Sequence, residues 1–246
     1  MIHFLLLNLI FGQTSADLYN LGNKLYAAKD YQNAIASYEQ AVNIVPNARI
    51  YYNLGNAYFK ANKMGMAIIC YRRALFLSPR DPDIFFNLKF NRNFRIDKNL
   101  TTENLTQDMV GRIFRFFSLP EASFLAAFFF LLSAVLISMF IVYRRRLWLW
   151  IFIPGFIVFL FVFISSRSWI AEKNPQHSVI TLPEVSARSG PADDYKEILV
   201  IHDGTEVRIQ SERGEYYLIQ LPGGLGGWVR KSEITRVYPV RENHRF

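Results

Sequence analysis

The chain has 246 residues, with 28 Lys/Arg against 20 Asp/Glu and a formal net charge of +8. Divided along the chain, that excess is no nucleic-acid footprint: residues 17–97 hold eleven basic and six acidic residues, residues 98–121 balance, and residues 175–246 hold nine basic and ten acidic. Residues 122–174 add +4, mostly from the Arg144-Arg145-Arg146 tract, and no Lys/Arg-rich run sits on a folded module, so no nucleic-acid partner is expected.

Phe4 to Phe11 is apolar but too short to span a membrane. Small residues follow, from Gly12 to Ala16. Residues 1–15 therefore resemble a secretory signal peptide cut between Gln13 and Ala16, although Met-Ile-His before the apolar run lacks Lys or Arg.

Residues 16–97 contain an internal repeat. Gly22, Ala34, Tyr38, Ala41 and Pro46 recur as Gly55, Ala67, Tyr71, Ala74 and Pro79, an offset of 33 residues. Gly and Ala let paired helices approach closely, tyrosines fill the space between pairs, and the prolines end the second helix of each pair. The period and pattern resemble the tetratricopeptide repeat, a helix pair of about 34 residues. A shorter unit from Pro82 reads as one capping helix, with Ile84, Phe85 and Leu88 on its packing side and Asn91, Arg92 and Arg95 elsewhere. The resemblance implies a concave groove lined by Tyr19, Asn23 and Tyr26, then Tyr52, Asn56 and Phe59, with Asn20, Asn53 and Asn87 beside them. The asparagines are suited to hold an extended peptide backbone, and the tyrosines to stack on its side chains. Some members clamp a terminal carboxylate here with basic residues. This chain departs from that pattern with Tyr19, Asp83 and Asn87.

Residues 98–121 form a connector: a polar loop from Asn99 to Asp108, then Met109 to Phe117, which mixes Arg112 and Arg115 with aromatics. That mixture suits either a membrane-interface segment or the start of a span. Ser118 and Glu121 form a capping-box start for the next helix. Residues 122–143 and 147–166 carry no charge, and each is long enough to cross a hydrocarbon core of about 30 Å at about 1.5 Å per residue. They predict a two-span helical hairpin that meets lipid. Pro154-Gly155 falls inside the second span, where breaks are tolerated. Arg144, Arg145 and Arg146 form the turn. Positive charge in short loops stays cytoplasmic, which predicts that the portions before 122 and after 166 face the opposite side. Tyr143, Trp148, Trp150 and Trp169 are placed near the span ends, where aromatic belts form.

Residues 175–240 change style to short alternating strands with Gly and Asp turns, five or so in number, which suggests a small barrel. Arg188 to Pro191 (Arg-Ser-Gly-Pro), Asp203 to Val207 (Asp-Gly-Thr-x-Val) and Gly227 to Val229 (Gly-Trp-Val) resemble marks of the bacterial SH3-like domain, with Tyr216 replacing the usual tryptophan. That resemblance implies a non-catalytic binding domain for peptides or cell-wall polymer, with Tyr195, Tyr216 and Trp228 as contact candidates. Each could equally be core or edge packing.

The fold class expected is thus a multidomain membrane protein: an all-α repeat stack, a transmembrane α-hairpin and a small all-β SH3-like barrel. No enzyme is expected. His3, His177, His202 and His244 are scattered without metal spacing, and Cys70 has no thiol partner. The spans contain no Asp, Glu, Lys or His for a transport pathway. No catalytic residue, metal or cofactor is expected. The order of parts resembles the BatE-type proteins of the bacterial aerotolerance (Bat) cluster. That resemblance implies an exported two-pass scaffold of the bacterial inner membrane, both modules periplasmic, working with other membrane proteins, including von Willebrand A-type Bat proteins. Peptidoglycan is the alternative partner, through the SH3-like domain.

Overall fold

A computed structural model describes residues 13–99, 113–173 and 176–238. Residues 1–12 of the expected signal segment 1–15, and residues 100–112 of the connector, lie outside the described residues. The chain forms two compact units, one containing the helical stack and the sheet, the other the apolar hairpin.

The stack has five α-helices: α1 Ser15–Ala27, α2 Tyr31–Ile44, α3 Ala48–Lys60, α4 Met64–Leu77 and α5 Pro82–Asn93, then a 3-10 turn at Ile96–Asn99. Side chains satisfy the orphan N–H groups at helix starts. Asp30 accepts from Asn33 N–H (3.3 Å), Asn47 from Arg49 N–H (2.8 Å) and Asp81 from Asp83 N–H (3.0 Å). Lys29 and Asn62, one repeat apart, both take the left-handed conformation that turns the chain within each pair (φ 63° and 59°). A Cβ on Gly22 would sit 2.5 Å from the Tyr38 ring, and one on Gly55 2.6 Å from the Tyr71 ring. The small/large pairing read from the repeat is therefore what lets the helices close. Cys70 is buried in this core, which pushes its thiol up to about 12.

α5 does more than cap. Arg95, just past its end and expected off the packing side, is buried against Glu206 of the sheet, and Asn91, also expected there, is buried with its Nδ2 donating to the Met64 carbonyl (3.5 Å), while Ile84 and Leu88 are buried as expected. The sheet has seven antiparallel strands: β1 His177–Ile180, β2 Glu184–Arg188, β3 Glu197–His202, β4 Glu206–Arg213, β5 Tyr216–Gln220, β6 Gly226–Arg230 and β7 Ile234–Arg236. Their order is β3-β2-β6-β5-β4-β1-β7. Every strand contributes to one apolar interior, including Ile180, Val185, Ile201, Val207, Ile219, Val229 and Ile234. Period-2 alternation puts these on one face and leaves Arg188, Tyr216, Leu218, Trp228 and Arg230 on the other. β7 follows a 3-10 turn and has three residues, too short to show a pattern.

The second unit is a helical hairpin, α6 Leu119–Tyr143 and α7 Leu147–Glu172, of 25 and 26 residues. Glu121 accepts from Ser118 N–H (2.9 Å), the reciprocal half of the expected capping box. Arg144 closes α6 in the left-handed conformation (φ 53°), and α7 is continuous through Pro154. Ala122, Ala126 and Val162 pack between the helices, while Phe124, Leu131 and Trp150 point outward, more than 60% exposed. Trp169, near the end of α7, is buried within this unit, and its indole N–H donates to the Phe117 carbonyl (2.6 Å), which lies outside any helix. Arg115 pairs with Glu172 at 2.8 Å beside it.

Candidate binding surfaces

The groove residues form a ladder. Asn53 donates from Nδ2 to the Tyr19 hydroxyl and to Asn23 Oδ1, both at 3.0 Å, while the Tyr38 hydroxyl donates to the same Asn23 oxygen at 2.8 Å. One repeat later the pattern recurs. Asn87 donates to the Tyr52 hydroxyl and to Asn56 Oδ1, both at 3.0 Å, and Tyr71 donates to Asn56 at 2.8 Å. Burial pushes the Tyr38 and Tyr71 hydroxyls above their usual range, so they remain donors. Tyr19, Asn23, Tyr52, Asn53, Asn56 and Asn87 are thus brought together, and these amides hold successive repeats in register. Asn20 lies apart, exposed on α1. At the end of the groove the chemistry changes. Phe59, Phe90 and Phe94 touch ring to ring at 4.7–6.0 Å, and Phe86 stacks on Phe90 at 6.1 Å.

A seam joins the stack to the sheet. Glu206, at the start of β4, accepts from Arg92 in a bidentate pair (2.7 and 2.9 Å) and from Arg72 at 3.1 Å, with Arg95 at 3.6 Å. Burial alone would raise this carboxyl. The Arg92 and Arg72 charges outweigh it and hold Glu206 down at about 2. Asp203 caps α4, accepting from the N–H groups of Met64 (2.8 Å) and Gly65 (3.0 Å). Burial still keeps its carboxyl above the usual range, against those bonds. Asp97 accepts from His202 N–H (2.6 Å) and the Thr205 hydroxyl (2.8 Å), and faces His202 Nδ1 at 3.0 Å. Burial raises Asp97, but these bonds prevail and hold it low. An ionised carboxylate only accepts, so Nδ1 carries the proton. Val179, Val237 and Tyr238 complete the seam by joining the apolar core of the stack. A Cβ on Gly65 would fall 2.2 Å from the Ile180 carbonyl. None of these seam residues stands out in the sequence, except that Asp203 to Val207 is the Asp-Gly-Thr-x-Val turn.

On the outer face of the sheet, Trp228 on β6 lies opposite Leu218 and Arg188, and Tyr216 opposite Arg230. The Tyr216 hydroxyl donates to Asp193 (2.7 Å), which also pairs with Arg230. Both partners hold the Asp193 carboxyl low, Tyr216 the more. Arg188 donates to the Tyr195 carbonyl (3.1 Å), and the Tyr195 ring covers Gly190. Tyr195, Tyr216 and Trp228 therefore share one aromatic and charged surface, half-buried at Tyr216 and Trp228 and exposed at Tyr195. Among the described residues, no cluster of His, Cys, Asp or Glu could hold a metal ion.

Comparison with known families agrees with this geometry. Residues 22–62 match the TPR repeat, residues 48–81 the tetratricopeptide repeat, and residues 183–235 the bacterial SH3 domain. None of the curated proteins compared with the chain matches it. The chain therefore carries tetratricopeptide repeats and a bacterial SH3 domain, modules that support a protein-binding adaptor and are compatible with cell-wall binding, beside two helices long and apolar enough to cross a membrane.

Proposed function

We propose that the protein is a non-enzymatic, membrane-anchored adaptor. It presents the fused repeat stack and SH3 domain on the periplasmic side of a bacterial inner membrane, as part of an aerotolerance or envelope-stress complex. The observation that carries this reading is the seam: two binding modules separated in sequence by an apolar hairpin share one core, through Val179, Val237 and Tyr238. Residues in a common core stand on one side of any membrane, so the hairpin enters and leaves on that side. Arg144, Arg145 and Arg146 then supply the sign, since short basic turns stay cytoplasmic. The proposed partners are membrane proteins, von Willebrand A-type Bat proteins among them. The test is two-part. A reporter active only in the periplasm, fused after Phe246, is expected to be active; cytoplasmic activity overturns the topology. Full-length protein solubilised in detergent is expected to capture membrane partners, and Tyr195→Ala with Trp228→Ala to reduce that capture; unchanged capture removes the outer face from the proposal.

A second reading rests on the aromatic outer face of the sheet. Tyr195, Tyr216 and Trp228 offer rings that stack on sugar, which suits attachment to peptidoglycan. Full-length protein that fails to sediment with purified sacculi excludes it.

A further inference from the structure

The last helix of a repeat stack is usually polar on its outward side, because no further repeat covers it. α5 is not. Phe86, Phe90, Phe94 and Ile96 are 64, 42, 55 and 70% exposed. The three phenylalanines follow i, i+4, i+8 spacing and so form one stripe. Phe90 stands where the first two repeats have Asn23 and Asn56. Those asparagines accept from Tyr38 and Tyr71 of the following helix. Among the described residues no second helix pairs with α5 to supply such a tyrosine, so an asparagine there would lack that partner. The replacement is a phenylalanine that extends a ring cluster with Phe59 (5.8 Å), not a solvated side chain.

Three observations identify what covers the stripe. It offers no hydrogen-bonding group, whereas a surface that selects a protein partner combines anchors with polar contacts. Its exposed area is about 450 Å², taking about 200 Å² for each side chain. Two copies meeting through it would bury about 900 Å², less than the roughly 1,200 Å² of a stable interface. Lys60 and Lys89, both exposed, adjoin Phe59 and Phe90 in the sequence, and the stretch 17–97 has eleven basic against six acidic residues. Phenylalanines beside lysines match the boundary between anionic headgroups and acyl chains. In the sequence, thirteen residues, 100–112, separate Asn99 from Ile113, just before the apolar hairpin.

We propose that the Phe86–Phe90–Phe94–Ile96 stripe is a lipid contact that lays α5 into the headgroup boundary of an anionic bilayer. This rests on the membrane-anchored reading and adds a second point of attachment to it. The test uses the full chain reconstituted in vesicles of phosphatidylglycerol and phosphatidylethanolamine. Cys70 is replaced by Ala, and an environment-sensitive dye is placed at Phe90→Cys or Phe94→Cys. Phe124→Cys, on the apolar hairpin, and Glu184→Cys, on β2, serve as references. Spin-labelled lipid is expected to quench positions 90 and 94 within about twofold of position 124, and iodide at least about threefold less than position 184, as for an interfacial helix. Quenching by iodide but not by lipid overturns the proposal, as does shielding from both, which would mean a protein cover. If position 124 itself escapes lipid quenching, the anchored reading fails, which separates the two failures.

Discussion

Two sets of contacts hold the first unit together, and they are built from opposite materials. The ladder inside the stack uses neutral groups, Asn23, Asn53, Tyr38 and their repeats, at intervals of about one repeat. The seam uses charges, Glu206 with Arg72, Arg92 and Arg95, from residues more than 100 positions apart. A neutral ladder loses little when one rung fails, because each bond has a modest net worth and neighbours persist. A buried carboxylate among arginines is coupled to all of them at once, and removing it takes a buried partner from each. The ladder is graded, and the seam is close to all-or-none.

Substitutions should expose that difference. Glu206→Ala is expected to cost the most, about 3–5 kcal/mol, because three arginines lose a buried partner. Denaturant unfolding of the solubilised chain should show it, and proteolysis should separate the sheet from the stack. A loss below about 1 kcal/mol would mean the seam is ordinary surface pairing. Gly55→Ala, which drives a Cβ against the Tyr71 ring, is expected to cost about 1–3 kcal/mol by the same measurement. Asn56→Ala leaves the Tyr71 hydroxyl and Asn87 without their shared acceptor, for about 1–2 kcal/mol, and the seam should survive intact. Asp203→Ala removes the α4 cap, for about 1 kcal/mol. Asp203→Asn should cost less, because the amide oxygen still accepts and no buried charge remains.

Acid offers a gentler probe of the same contrast. Glu206 is held at about 2, below its ordinary value near 4.3. Its contribution is therefore fully present above the ordinary value and fades as pH falls toward 2. Asp203 has the opposite sign: its raised carboxyl favours the protonated folded form, and that contribution is lost as pH rises. An unfolding midpoint that is flat in the wild type between pH 5 and 2 would contradict the Glu206 assignment.

The same contrast explains what could be read without the structure. The stack follows from a period: Gly22 and Gly55, Tyr38 and Tyr71 recur because each repeat solves the same packing problem. The hairpin follows from composition, since an apolar run of that length has few alternatives. The strands from His177 to Arg230 show alternation, but β7 is too short to do so. The groove asparagines were visible, yet their partners were not. A residue that could hold a ligand and one that holds its neighbour look alike until Tyr19, Tyr38, Tyr52 and Tyr71 are seen facing them. The seam was least legible. Arg92 and Arg95 read only as lying off the packing side of a cap, and Glu206 as the variable position of the Asp203 to Val207 turn, because long-range pairing of unlike charges leaves no periodic trace.

The seam also sets a timetable. Asp203 closes on Met64 and Gly65 across 139 and 138 residues. At roughly 5–20 residues per second, the stack waits about 7–30 s after its fourth helix begins before that partner is made. Through that interval the apolar hairpin is synthesised, while Arg72 and Arg95 stand without Glu206 of the sheet. The stack must therefore hold together on its own apolar core and neutral ladder. The newborn chain passes through a state with half its final core, open on the one face that the finished protein never shows.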